Sequence, residues 1–210
     1  MSRIIDLTVA LEDGLRGVSI EPARTIAEHG WNATTLHLYS HCGTHMDAPL
    51  HFGVSDETID EIPLEKLSGP AWLIDLGGIE PKALIGTDAV AGIEPRFERG
   101  DSLLLRTGWS KRLHEAAYRD ELPRVSAELA EWCVRRGVRM LGVEPPSVAD
   151  VHDREELTNV HRVLLGGGVI VVEGLTNLDQ IRAEKVTFMA LPLKIAGGDG
   201  APARAIAIED

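Results

Sequence analysis

Residues 126–173, SAELAEWCVRRGVRMLGVEPPSVADVHDREELTNVHRVLLGGGVIVVE, decide the fold. Ser126 is a helix cap, Glu128 sits in a first turn, Arg135 and Arg136 in a last turn, and Gly137 follows, so 126–136 reads as a helix. VRMLGVE at 138–144 is then a strand running into the turn Pro145-Pro146. Residues 153–165 form a second helix, with Asp153, Glu155 and Glu156 at its start and three glycines at 166–168 as its stop. VIVVE at 169–173 is short and apolar throughout, as a strand buried on both faces would be.

Working outward, the other segments are mostly strands. RIIDLTVAL at 3–11, AWLIDL at 71–76, VTFMAL at 186–191 and ARAIAI at 203–208 read as strands, and SLLLRTG at 102–108 is another continuous apolar one. TTLHLY at 34–39 alternates, with Thr35, His37 and Tyr39 on one face and Leu36 and Leu38 on the other. Many strands and two or three good helices predict an α/β or α+β domain with a mixed sheet, not a doubly wound parallel one. Pro and Gly are dispersed, and no repeat or linker divides the 210 residues, so one domain over 1–210 is expected.

Composition narrows the function. Lys and Arg number 21 against 33 Asp and Glu, a formal charge of −12, which excludes the basic footprint of a nucleic-acid or anionic-membrane binder. No apolar run is long enough for a membrane helix, and acids interrupt the first residues, which do not read as a signal peptide. Two cysteines, Cys42 and Cys133, make no disulfide framework, so a cytoplasmic setting is expected.

Four of the eight histidines fall between His37 and His51. Within this stretch His41, His45 and Asp47 are close enough for one loop to wrap them around an ion, with Gly43 free to take backbone angles a side chain forbids. Gly43 and Pro49 argue against a His-Glu-x-x-His type helix. Two imidazoles and a carboxylate suit Zn²⁺ or Mn²⁺ better than Mg²⁺ or Ca²⁺, and three ligands leave a position open for chemistry. Glu173 ends an apolar strand, where a carboxylate is costly unless paired or metal-bound. His161 is equally readable as a ligand or an ordinary helix residue. His37 is open between a partner to a ligand and a packed strand residue, and Cys42 reads as structural.

The pattern His-x-Gly-Thr-His-x-Asp-x-Pro-x-His at 41–51 resembles the motif of the metal-dependent hydrolases of the cyclase family, which includes bacterial kynurenine formamidase and isatin hydrolase. The segments 158–181, TNVHRVLLGGGVIVVEGLTNLDQI, and 191–208, LPLKIAGGDGAPARAIAI, resemble the family as well. The resemblance implies a single α/β domain of the swivelling β/β/α type, with a barrel-like mixed sheet flanked by helices, assembled as a homodimer or homotetramer. It implies two divalent ions per chain, zinc or alternatively manganese. His41, His45 and Asp47 match the ligands of the first ion. Asp47 matches a bridge to the second, with His161 and Glu173, and His51 matches the catalytic histidine. The implied activity is hydrolysis of a small molecule's C–N amide bond, a formamide, by a metal-activated hydroxide. The alternatives are a cyclic-amide hydrolase resembling isatin hydrolase and a metal-dependent cyclase or dehydratase in secondary metabolism.

The chain departs from the formamidases at one place. They carry an early aromatic residue that packs on the substrate ring, whereas the first aromatic here is Trp31 and the matching region reads LEDGLRGVSIEPART. Arg16 in that region is open between a contact to a substrate carboxylate and a solvated loop residue. Trp109 is open between lining a pocket and packing on the sheet. Glu144 is open between supporting the site and forming the turn.

Overall fold

The computed structural model describes residues 2–209. In chain order its strands are β1 (Arg3–Asp6), β2 (Val18–Arg24), β3 (Ala33–Leu38), β4 (His45–Asp47), β5 (Ser68–Asp75), β6 (Leu84–Ile85), β7 (Ser102–Arg106), β8 (Arg124–Val125), β9 (Met140–Val143), β10 (Ile170–Glu173), β11 (Lys185–Pro192) and β12 (Gly200–Glu209). Its helices are α1 (Ile26–His29), α2 (Ala117–Asp120), α3 (Ala127–Arg136) and α4 (Arg154–Gly166).

Both long helices begin as the sequence dictates. The Ser126 side chain accepts from the Leu129 amide, and Asp153 accepts from the amides of Glu155 and Glu156. Gly137 ends α3 in the left-handed region at φ 70°.

The strands close into a seven-stranded barrel of order β12-β11-β5-β7-β9-β10-β4, with β4 pairing back onto β12. Strands β5, β7, β9 and β10 run parallel, and the remaining pairings of the barrel are antiparallel. The long β12 makes closure possible. One of its edges takes β11, while the other takes β4 at its start and β1 at its end.

Side-chain alternation then sorts each strand into two layers. Met46, Leu104, Met140, Ile170, Val172 and Phe188 fill the barrel, beside a row of alanines from β12. Leu103, Leu105, Leu141, Val143 and Val171 face outward and are covered by α3 and α4 through Leu129, Cys133, Val160 and Leu164. The continuous apolar runs at 102–106 and 169–172 thus have a cause: each strand is buried on both faces.

The segment at 33–38 is a strand, but neither of its faces reaches the core. It pairs only with β2 in a projecting hairpin, and Leu36 is 56% exposed. No helix among the described residues is long and apolar enough to cross a membrane.

Candidate metal centre

The candidate site lies on the outer wall of the barrel, where β4 and β10 pair beneath α4. Met46 and Val172 point into the barrel, so the two-residue period turns His45, Asp47 and Glu173 outward. The register sets Glu173 opposite His45 and Gly200 opposite Asp47. From above, the buried stripe of α4, Val160, His161, Leu164 and Leu165, directs His161 onto the same spot. The Gly43 backbone that precedes β4 has φ 58°, and a Cβ there would fall 2.6 Å from Leu11.

His45 Nε2 lies 3.1 Å from Glu173 Oε2, and His161 Nε2 lies 3.4 Å from Glu173 Oε1 and 3.7 Å from Asp47 Oδ2. His41 Nδ1 is 2.8 Å from Asp47 Oδ1. His41, His45 and Asp47 offer ligand atoms within 4.8 Å of one another, and so do Asp47, His161 and Glu173, which makes Asp47 the shared member. His51, the third residue of the short 3₁₀ turn Pro49–Phe52, reaches the same place, its ring stacked on His41 at 3.8 Å between centroids.

This donor set fits a cation on two observations. The Nδ1 of His45 contacts the Gly43 carbonyl at 3.0 Å and that of His161 the Leu157 carbonyl at 2.7 Å. Each such bond holds a proton on Nδ1 and leaves Nε2 as the lone-pair nitrogen, the arrangement a metal-binding imidazole requires. In addition, among the described residues Asp47 Oδ2 is buried with no hydrogen-bond partner, a costly state for a carboxylate.

Charge in the site is correspondingly concentrated. Burial alone would lower the pKa values of His45 and His161, but Glu173 and Asp47 outweigh it and raise both above 6.5. Burial would raise Glu173, yet His161 and His45 hold it below the ordinary carboxylate range. His51 is lowered by burial. His41, pushed down by burial and up by Asp47 and Asp199, ends raised to about 9.

The centre floors a cleft of about 650 Å³. Tyr39, Phe52 and Tyr118 are its aromatic lining, and Arg16 and Arg119 add cationic groups. Arg16 therefore lines the cleft, and no aromatic residue comes from the loop that carries it.

Other open readings are resolved by position. Trp109 is buried and donates to the Tyr118 carbonyl at 2.8 Å, so it packs and does not line the cleft. Glu144 is a turn-former: it accepts from the amides of Thr107, Gly108 and Trp109 and from the hydroxyls of Thr107 and Ser110. His37 sits exposed on the hairpin beside Glu21, and Cys42 is buried. One residue of the cluster was not singled out from sequence. Asp199 places Oδ2 3.0 Å from His41 Nε2 and 3.4 Å from His51 Nδ1. Its only signal was an acid set between glycines in the AGGDG run, in a segment already noted for its resemblance.

A closed mixed barrel with a buried His, Asp and Glu cluster at the foot of a cleft defines a metal-site protein of the α/β class. The chain belongs to the cyclase family, whose model, described as "Putative cyclase", matches residues 5–150. It is 31% identical to a kynurenine formamidase of Bacillus cereus over 175 residues, 83% of this chain and 79% of that protein. It is 30% identical to the kynurenine formamidase of Salinibacter ruber over 183 residues, 85% and 81% of the two chains. Among solved structures, isatin hydrolase A from Labrenzia aggregata superposes with a TM-score of 0.89 at 28% identity, covering 99% of this chain and 93% of that one. A potential metal-dependent hydrolase with cyclase activity gives 0.79 at 28% identity, covering 100% and 99%.

Proposed function

We propose that this chain is a metal-dependent amidohydrolase that cleaves a C–N amide bond of a small molecule, a formamide in the first instance. The carrying observation is Asp47, a buried carboxylate shared by two ligand groups and left with an unpaired oxygen. His41, His45 and Asp47 would hold one divalent ion, and Asp47, His161 and Glu173 a second, with zinc favoured over manganese by the imidazole ligands in both groups. Ions so held supply Lewis acidity, polarising a carbonyl and making water more acidic.

His51 contributes the proton transfer. Burial keeps its imidazole neutral near pH 7, so it accepts a proton from the attacking water and returns it to the leaving nitrogen. Atoms balance as one water consumed and one acid and one amine released. Glu173 is fixed by the Val148 amide at 2.7 Å and holds His45 and His161 in register. The aromatic walls admit a planar substrate, and the cleft volume is that of a small-molecule site.

A second reading, hydrolysis of a cyclic amide, is favoured by the match to isatin hydrolase A and by the lack of an aromatic residue before Trp31. The remaining features of the reading are a single domain over 1–210, a cytoplasmic setting supported by two buried free cysteines, and no nucleic-acid or membrane partner. A homodimer or homotetramer is supported by the exposed apolar residues Ile26, Trp31 and Leu36 on the hairpin arm.

The test is a zinc-loaded protein assayed against formanilide, N-formylkynurenine and isatin, each with and without chelator. Chelator-sensitive hydrolysis of any one supports the reading, and the preferred substrate chooses between its two forms. Hydrolysis of none of the three, or turnover indifferent to chelator, overturns it.

A further inference from the structure

We propose that Asp199 is a positioning residue that fixes the tautomer and the orientation of His51. The inference rests on the acid–base role assigned to His51 above.

Its basis is geometric. Asp199 Oδ2 is the meeting point of two stacked rings, 3.0 Å from His41 Nε2 and 3.4 Å from His51 Nδ1. A carboxylate accepts and does not donate. At 3.4 Å the carboxylate's charge favours the His51 proton on Nδ1, the nitrogen facing it, which leaves Nε2 as the basic nitrogen of a ring that lines the cleft. For His41 the same oxygen accepts from Nε2–H, while Nδ1 faces Asp47. One carboxylate oxygen therefore faces a ring nitrogen of each of the two stacked histidines.

The platform beneath it is rigid. The Asp199 carbonyl accepts from the Ala48 amide, so this residue is tied to the strand that carries His45 and Asp47. The loop before it is held by Ile59 donating to the Gly198 carbonyl and Gly197 donating to Asp60. The next residue, Gly200, lets His41 approach, since a Cβ there would lie 2.6 Å from His41 Cε1. Among the described residues that line the cleft, His51 is present and Asp199 is not, so Asp199 acts through His51.

The experiment compares wild type, Asp199→Ala, Asp199→Asn and Asp199→Glu, all loaded with zinc. Formanilide hydrolysis, zinc stoichiometry and the ¹⁵N spectrum of His51 are measured, with His51→Asn supplying the assignment. Asp199→Ala is expected to lower kcat by about 10–100-fold with KM and zinc content unchanged. It should also move His51 from a single Nδ1–H tautomer to a mixture. Asp199→Asn, which offers an N–H, should shift His51 toward Nε2–H, and Asp199→Glu should recover part of kcat. A wild-type His51 already mixed or Nε2–H, or an Asp199→Ala protein with unchanged tautomer and kcat, overturns the inference. Loss of bound zinc in Asp199→Ala overturns it as well, by making Asp199 a ligand. If wild type hydrolyses no amide, the reaction reading fails while the tautomer spectrum still decides the role of Asp199.

Discussion

Asp47 is the residue on which the proposed centre turns, because each of its two oxygens faces a different imidazole set. Asp47→Asn keeps the shape and removes the charge. The expected outcome is metal content falling from the proposed two ions per chain to one or fewer by elemental analysis; two ions retained would remove the shared position. His51 touches no carboxylate of the ligand pair, so His51→Ala should keep its metal and lose about 10²–10⁴-fold in turnover. Near-wild-type rates would exclude proton transfer by His51. Far from the site, Asp101 is buried and accepts from Trp72 Nε1, from Lys185 Nζ and from the Glu98 amide. Burial raises its pKa, and these partners more than offset that, leaving it below 3.8. A depressed carboxylate stabilises the fold above its unfolded value and loses that contribution as pH falls through the folded one. Asp101→Asn should therefore lower Tm at pH 7, with the gap to wild type narrowing below pH 4; a constant gap would contradict the ionic origin. At this scale sequence was most informative where chemistry and neighbours were local. His41, His45 and Asp47 lie within one loop and strand, and Glu173 betrays itself as an acid in an apolar strand. Asp199 reaches the cluster from 158 positions away from His41, and no local pattern could announce it.

Helix α4 does two things with one stripe. Val160, Leu164 and Leu165 seal the outer wall of the barrel, and His161 between them reaches the centre. The stripe at i, i+3 and i+4 was present in the sequence, and it resolves the ambiguity at His161: a histidine in an apolar stripe is buried, and a buried imidazole needs partners. Leu164→Ala should cost about 2–5 kcal/mol in denaturant unfolding. It should also loosen His161, so zinc dissociates faster from this variant than from Leu129→Ala, which leaves a cavity under α3 instead. Equal zinc off-rates in the two would show that α4 packing does not position the ligand. Helix ends and double-sided strands were legible because caps and apolar runs are local signals. The hairpin arm was not. The alternation at 34–39 has the form of a half-buried strand, yet β3 leaves the body of the protein and exposes Leu36. Alternation records which residues share a face and says nothing of what covers it.

For the whole molecule, closure of the barrel is what assembles the site, and closure rests on pairings that span the chain. Strand β12 contacts β4 across more than 150 residues, which brings Gly200 beside Asp47. That ring was reachable from sequence only through family resemblance. The folded body also carries an electrostatic strain that a cation relieves. Without an ion, two buried carboxylates are balanced by imidazoles raised above 6.5, His41 to about 9. A histidine raised on folding contributes fully below its unfolded value and loses that contribution as pH rises through the folded one. The metal-free protein should therefore lose thermal stability between about pH 6.5 and about pH 9. Ion binding needs those same imidazoles deprotonated, so its stabilisation has the opposite slope. With free zinc at about 100 times its Kd, one site adds about 2.7 kcal/mol, or roughly 5–10 °C for a chain of this size. Calorimetry of chelated and zinc-loaded protein from pH 5 to pH 9 should show a Tm gap that is small in acid and widens steadily toward pH 9. A gap independent of pH would mean that the ion does not displace protons from His41, His45 and His161, and the ligand set would have to be sought elsewhere.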